Sequence, residues 1–246
     1  AMNSSNPVLR NDPFAASAAL PARGAGMTVG GVIGKTAFFL VLATATGAAT
    51  WVAAARGLDV MPVVMGGAAG GLVFALITAF KPRWAAFTGM LYALCQGVLL
   101  GGLSAHFNAQ YPGIAVAAAG CTVATLAGML FAYQTGLIRA TKSFRRGVVA
   151  ATLGILFFYA ATWVLGFFGL RVPGVFDAGW LGIGFSVFVV AIAALNLVLD
   201  FDFIEKGARA GAPKHMEWYA AFALMVTLVW LYLEILRLLA KVMGRK

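Results

Sequence analysis

Five acidic residues, Asp200, Asp202, Glu205, Glu217 and Glu234, crowd into the end of a chain that holds only eight. The other three, Asp12, Asp59 and Asp177, fall between apolar runs or in the N-terminal stretch. A carboxylate near the centre of a bilayer costs at least about 2.5 to 3.5 kcal/mol, so acids kept there mark ion pathways, proton relays or paired charges. Depth and angle sort the five. With a helix ending near Lys206, Asp200 lies about 9 Å inside it. Asp200 and Asp202 are two residues apart, about 200° around a helix, so they face nearly opposite ways. Asp202 and Glu205 share a face. Glu217 reads as a first-turn acid favoured by the helix dipole. Glu234 has Arg237 three residues on, a spacing that allows a local ion pair or a buried functional acid. On straight helices Glu234 stands too far from Asp200 for contact, since 17 residues separate it from Glu217, or about 26 Å.

Other chemistries lack their residues. No HExxH, GxSxG or Walker pattern occurs, so an enzyme is not expected and no cofactor is called for. His106 and His215 stand alone at segment ends. Cys95 and Cys121 sit in apolar runs and read as buried thiols.

The elements that must position the acids follow from composition. The chain is 62% hydrophobic and 11% charged, with a mean hydropathy of +0.91. A soluble domain carries about a quarter charged residues, so lipid must be the solvent for much of this surface. The net charge of +10 does not imply nucleic acid, because the basic residues flank apolar runs instead of forming a stripe.

Residues 1–30 are rich in Ala, Ser, Asn, Pro and Gly and read as a disordered tail, leaving 31–246 as the membrane domain. Seven apolar segments follow, at about 34–55, 60–80, 84–106, 112–135, 147–169, 179–204 and 216–240. Each approaches the roughly 20 residues that cross the hydrocarbon layer as a helix, and none alternates as a barrel strand would. Pro62, Pro82, Pro112, Pro173 and Pro213 punctuate them at edges and connections. The expected fold is an all-α, seven-helix bundle. Glycines at 66–71, Gly97, Gly101, Gly182 and Gly184 imply close helix packing.

Lys and Arg set the orientation. With the N-terminus cytoplasmic, the inner segments hold Arg10, Arg23, Lys35, Lys81, Arg83, Arg139, Lys142, Arg145, Arg146, Lys206, Arg209 and Lys214, against Arg56 and Arg171 outside. Arg237, Lys241, Arg245 and Lys246 then fall outside, against the trend.

Four blocks in order, "QGVLLGGLSA", "FAYQTGLIRATKSFRR", "LVLDFDFIEKG" and "EWYAAFALMVTLVWLYLEILRLL", resemble the Bax-inhibitor family of transmembrane proteins in its bacterial YccA-like branch. The likeness covers about 30–240. It implies a last helix surrounded by the other six, and a pH-sensitive calcium leak gated by aspartates on helices six and seven. The sixth-helix aspartate falls on Asp200. The seventh-helix aspartate does not carry over, because Thr227 stands at its position. An aspartate dyad shares a proton and titrates as a unit, and Asp200 with Thr227 lacks that coupling.

The expected function is a pH-sensitive cation leak centred on Asp200, then Asp202 and Glu234, with Thr227 opposite. Asp200 and Asp202 would give calcium weak, transient ligation suited to passage, and protonation would release contacts to Arg139 or Lys206. The expected setting is a bacterial cytoplasmic membrane. The alternative is a non-transporting modulator of a membrane protease or stress pathway, docking through the tail and the basic loops. A proton-coupled transporter is a weaker third reading, since no inverted repeat is visible.

Overall fold

The computed structural model describes residues 26–169, 175 and 177–245. The described residues form seven α-helices: α1 (Val29–Ala55), α2 (Met61–Phe80), α3 (Ala85–Gln110), α4 (Ile114–Gln134), α5 (Lys142–Phe167), α6 (Trp180–Arg209) and α7 (Met216–Met243). All seven are long and apolar enough to cross a membrane. They form helices because lipid offers backbone amides no partner, so every bond must close within its own segment. Among the described residues no strand occurs, only an isolated bridge between Gly26 and Pro213.

Local sequence sets the boundaries. Pro62 lies in the first turn of α2, where a missing amide costs nothing. Pro82 opens a single 3₁₀ turn, Pro82–Trp84, leading into α3. Gly113 precedes α4 in the left-handed region, φ 88°, and its amide donates to Asn108 Oδ1 at 2.8 Å. α5 begins five residues before the expected 147 because Thr141 caps it, accepting from the Phe144 amide at 3.2 Å. α6 runs on to Arg209, so Glu205 and Lys206 belong to its last turns and not to an exit loop.

α7 is the central helix. It packs against α1, α3, α4 and α6, while α2 lies on α3 and α5 lies on α6 at the flanks. Ala220, Ala221, Met225, Leu231 and Leu236 of α7 are buried against Val32, Phe39, Tyr92, Ile114, Ala118 and Leu197. The faces turned outward carry Val41, Met65, Val116, Phe157 and Trp163, as lipid-facing surface should.

α1 and α3 approach more closely than any side chain would allow. A Cβ on Gly101 would strike the backbone of Gly47, and one on Gly97 would strike Thr46 and the Ala43 carbonyl. On α2, Gly67 and Gly71 sit against Cys95 and Gln96 of α3, whereas Gly66 meets open space. The expected glycine packing therefore holds for part of the 66–71 stretch. Cys95 belongs to that interface, but Cys121 faces outward and is not buried.

Of the expected tail, residues 1–25 lie outside the described residues. The last few, 26–30, are held against the bundle. Met27 is buried and its amide donates to Ala212 O at 2.7 Å.

Candidate functional site

The five acids of α6 and α7 occupy different surroundings. Four are paired with cations. Asp202 is buried and takes Arg145 of α5 at 2.5 Å and Lys206 at 2.7 Å. Glu205 takes Arg209 and accepts from Tyr133 of α4, both at 2.5 Å. Glu217 is fully buried and holds Lys35 of α1, Lys214 at 2.8 Å, and both the amide and hydroxyl of Thr28 at 2.9 Å. Glu234, also buried, takes Arg237 at 3.0 Å, and Tyr159 of α5 donates to it at 3.1 Å.

Asp200 is the exception. It lies on the face of α6 turned to α7, where Thr227 is the side chain directed at it. Its Oδ2 is enclosed and has no hydrogen-bond partner among the described residues. No Lys, Arg or His among the described residues lies within ion-pair distance of it. Thr227 is buried and also donates to the Ala223 carbonyl at 3.4 Å.

The structure thus brings Asp200 and Thr227 together and separates the other named residues. Asp202 points away to α5, so the two aspartates do not converge on one ion. Glu234 is held at the other end of α7 by Tyr159 and Arg237. Arg139 and Lys206 do not reach Asp200: the Arg139 Nε donates to Gly136 O at 3.3 Å, and Lys206 is engaged by Asp202. The expected release of those two contacts by protonating Asp200 is therefore corrected, since α6's own turn delivers Lys206 to the acid four residues earlier.

Three features escape a reading of the sequence alone. Glu217 is no simple first-turn acid, because besides Lys214 it takes partners 182 and 189 positions away. Lys241 is no free tail charge. It is buried, with its Nζ donating to Val175 O at 2.8 Å and to Gly182 O and Ser186 Oγ at 3.0 Å. With Arg237 on Glu234, this accounts for two of the cations that run against the Lys and Arg bias. Third, Asn196 of α6 donates to Thr152 of α5 at 2.8 Å, a half-buried polar contact between the two helices. Its signal was present in the seven-residue spacing of Arg145, Thr152 and Tyr159.

Seven helices long and apolar enough to cross a membrane, with α7 central, define an integral membrane protein. A family model described as Bax inhibitor 1 like matches residues 6–244. The chain belongs to that family. Neither the curated proteins nor the solved structures compared with it give a match.

Proposed function

We propose that the protein is a pH-sensitive cation leak, with calcium as the favoured ion and Asp200 as the controlling group. One observation carries the reading: of the five acids on the last two helices, Asp200 alone has no countercharge among the described residues. A neutral carboxyl tolerates such a site. An ionised one there must gain water or a cation, which requires α6 and α7 to part or a cation to enter. The proton on Asp200 then decides whether that interface stays dry.

Thr227 contributes an oxygen and no charge, so a cation at Asp200 meets few ligands and leaves readily, as passage requires. A single acid also replaces the coupled pair that the family resemblance implies, so the pH response is that of one group. This is passage without a chemical step, and it needs neither an enzyme's machinery nor a cofactor. The basic loops fit a bacterial cytoplasmic membrane with the N-terminus on the cytoplasmic side.

Calcium flux through purified protein in liposomes, measured across pH, tests the reading. Asp200→Asn should hold the flux at the acid-side level of the wild type at every pH, and Asp200→Glu should keep a pH response. A normal pH response in Asp200→Asn sinks the idea.

The alternative, a non-transporting modulator of a membrane protease or stress pathway, draws on the exposed Lys142 and Arg146 and on the composition of the N-terminal segment. Removing residues 2–25, which spares the Thr28 contact to Glu217, should leave the flux intact if the bundle is the machine.

A further inference from the structure

α5 is the most loosely held helix. It packs on α6, and only Val148 and Ile155 of its side chains are buried. Its bundle-facing stripe reads Arg145, Val148, Thr152, Ile155, Tyr159, a heptad pattern with polar residues at one position and apolar ones at the other. Seven residues span about 10 Å of helix and drift only about 20°. Each polar residue meets a polar partner: Arg145 meets Asp202, Thr152 meets Asn196, and Tyr159 meets Glu234 and Arg237. Lys241 follows Arg237 by one turn and ends among the oxygens of Val175, Gly182 and Ser186. Polar groups therefore recur along α5 from the end rich in basic residues to the opposite end.

The geometry points to the seam between α5 and the α6–α7 pair as the ion path, with the Ile155 collar as its gate. The inference rests on the leak reading and names the route and the barrier. Side chains that hydrogen-bond across helices in lipid serve either as glue or as the lining of a water path. The spacing favours the second. Asn196, which meets Thr152, lies four residues before Asp200, on the same side of α6 and one turn away. Oxygen-bearing groups recur beyond it, at Tyr159 and Glu234.

Between the Thr152 and Tyr159 steps, the seam is shut by Ile155, Val189 and Ile192, which pack together as a small apolar cluster separate from the main core. Such constrictions gate by losing water. At both ends the carboxylates are occupied by tethered cations, Arg145 and Lys206 on Asp202 and Arg237 on Glu234. An entering cation must displace these. Because α5 is held by these steps and one small apolar cluster, a small outward movement of that helix wets all of them together.

The test combines thiol labelling with flux in a background carrying Cys95→Ala and Cys121→Ala. Thr152→Cys and Val148→Cys on the seam are compared with Leu153→Cys and Leu156→Cys on the exposed face. The reagent is a charged, membrane-impermeant methanethiosulfonate applied to the full chain in liposomes. The seam thiols should be labelled and the lipid-face thiols should resist. Ile155→Asn should raise calcium flux several-fold without moving the pH midpoint set by Asp200. If the wild type conducts while both seam thiols resist and Ile155→Asn changes nothing, the seam is overturned and the leak reading survives. Wild-type liposomes that pass no calcium at any pH overturn both.

Discussion

The bundle has two halves built on different principles. Around α1, α2 and α3, helices meet backbone to backbone, with Gly47, Gly97 and Gly101 removing every side chain that could keep them apart. Around α5, by contrast, polar pairs tie a helix with only Val148 and Ile155 buried to α6 and α7. The first arrangement has one solution, because a helix that slides or tilts loses contact along its whole length. The second offers alternatives, because a carboxylate can exchange a lysine for a water or an ion at modest cost. The contrast separates a rigid wall from a helix able to move, and Asp200 lies one turn along α6 from Asn196, where that helix is met.

Substitutions break the contrast in graded fashion. Gly101→Val in the tight half forces a side chain into the backbone of Gly47 and should cost about 3 kcal/mol or more. It should be seen as loss of folded protein or a large fall in thermal midpoint in detergent. Asp202→Ala in the polar half strands Arg145 and Lys206. A fully buried pair costs about 3 to 5 kcal/mol to break, but both cations are half-exposed, so about 1 to 2 kcal/mol is expected. Its signature should be a lowered midpoint with flux retained or increased. Thr152→Val removes one interhelical hydrogen bond, worth about 0.6 kcal/mol in a membrane, and should be visible mainly in flux. Gly66→Ala faces open space and should change stability by less than about 0.5 kcal/mol. A large loss there would mean that glycines on α2 act through something other than close approach.

The seven crossings were legible because each apolar run is bounded by proline or charge, and lipid leaves a helix as the solution. The α5 start was not, because three basic residues, Lys142, Arg145 and Arg146, hide a helical turn that Thr141 caps. Asp200 and Thr227 could be matched through the motif order and do meet across α6 and α7. The surroundings of the remaining acids could not be read. Glu217 had a sufficient local explanation in the helix dipole, and its true partners are set by tertiary packing. Lys241 resembled a flanking charge because nothing in its own helix shows that Val175, Gly182 and Ser186 enclose it. Asp202 looked unexplained until α5 supplied Arg145, a residue counted only toward the loop charge.

The Glu217 cluster bears on how the protein is made. Thr28 and Lys35 lie at the start of the first helix, and the carboxylate they need emerges 182 to 189 residues later. While the ribosome is still translating, Lys35 sits in α1 with its eventual counterion unsynthesised, and Thr28 caps α1 without the acceptor its own amide and hydroxyl later find. Only insertion of the last helix closes the circuit between the two extremes of the membrane domain. A chain stalled or cut before α7 therefore carries an unmatched charge in its first crossing.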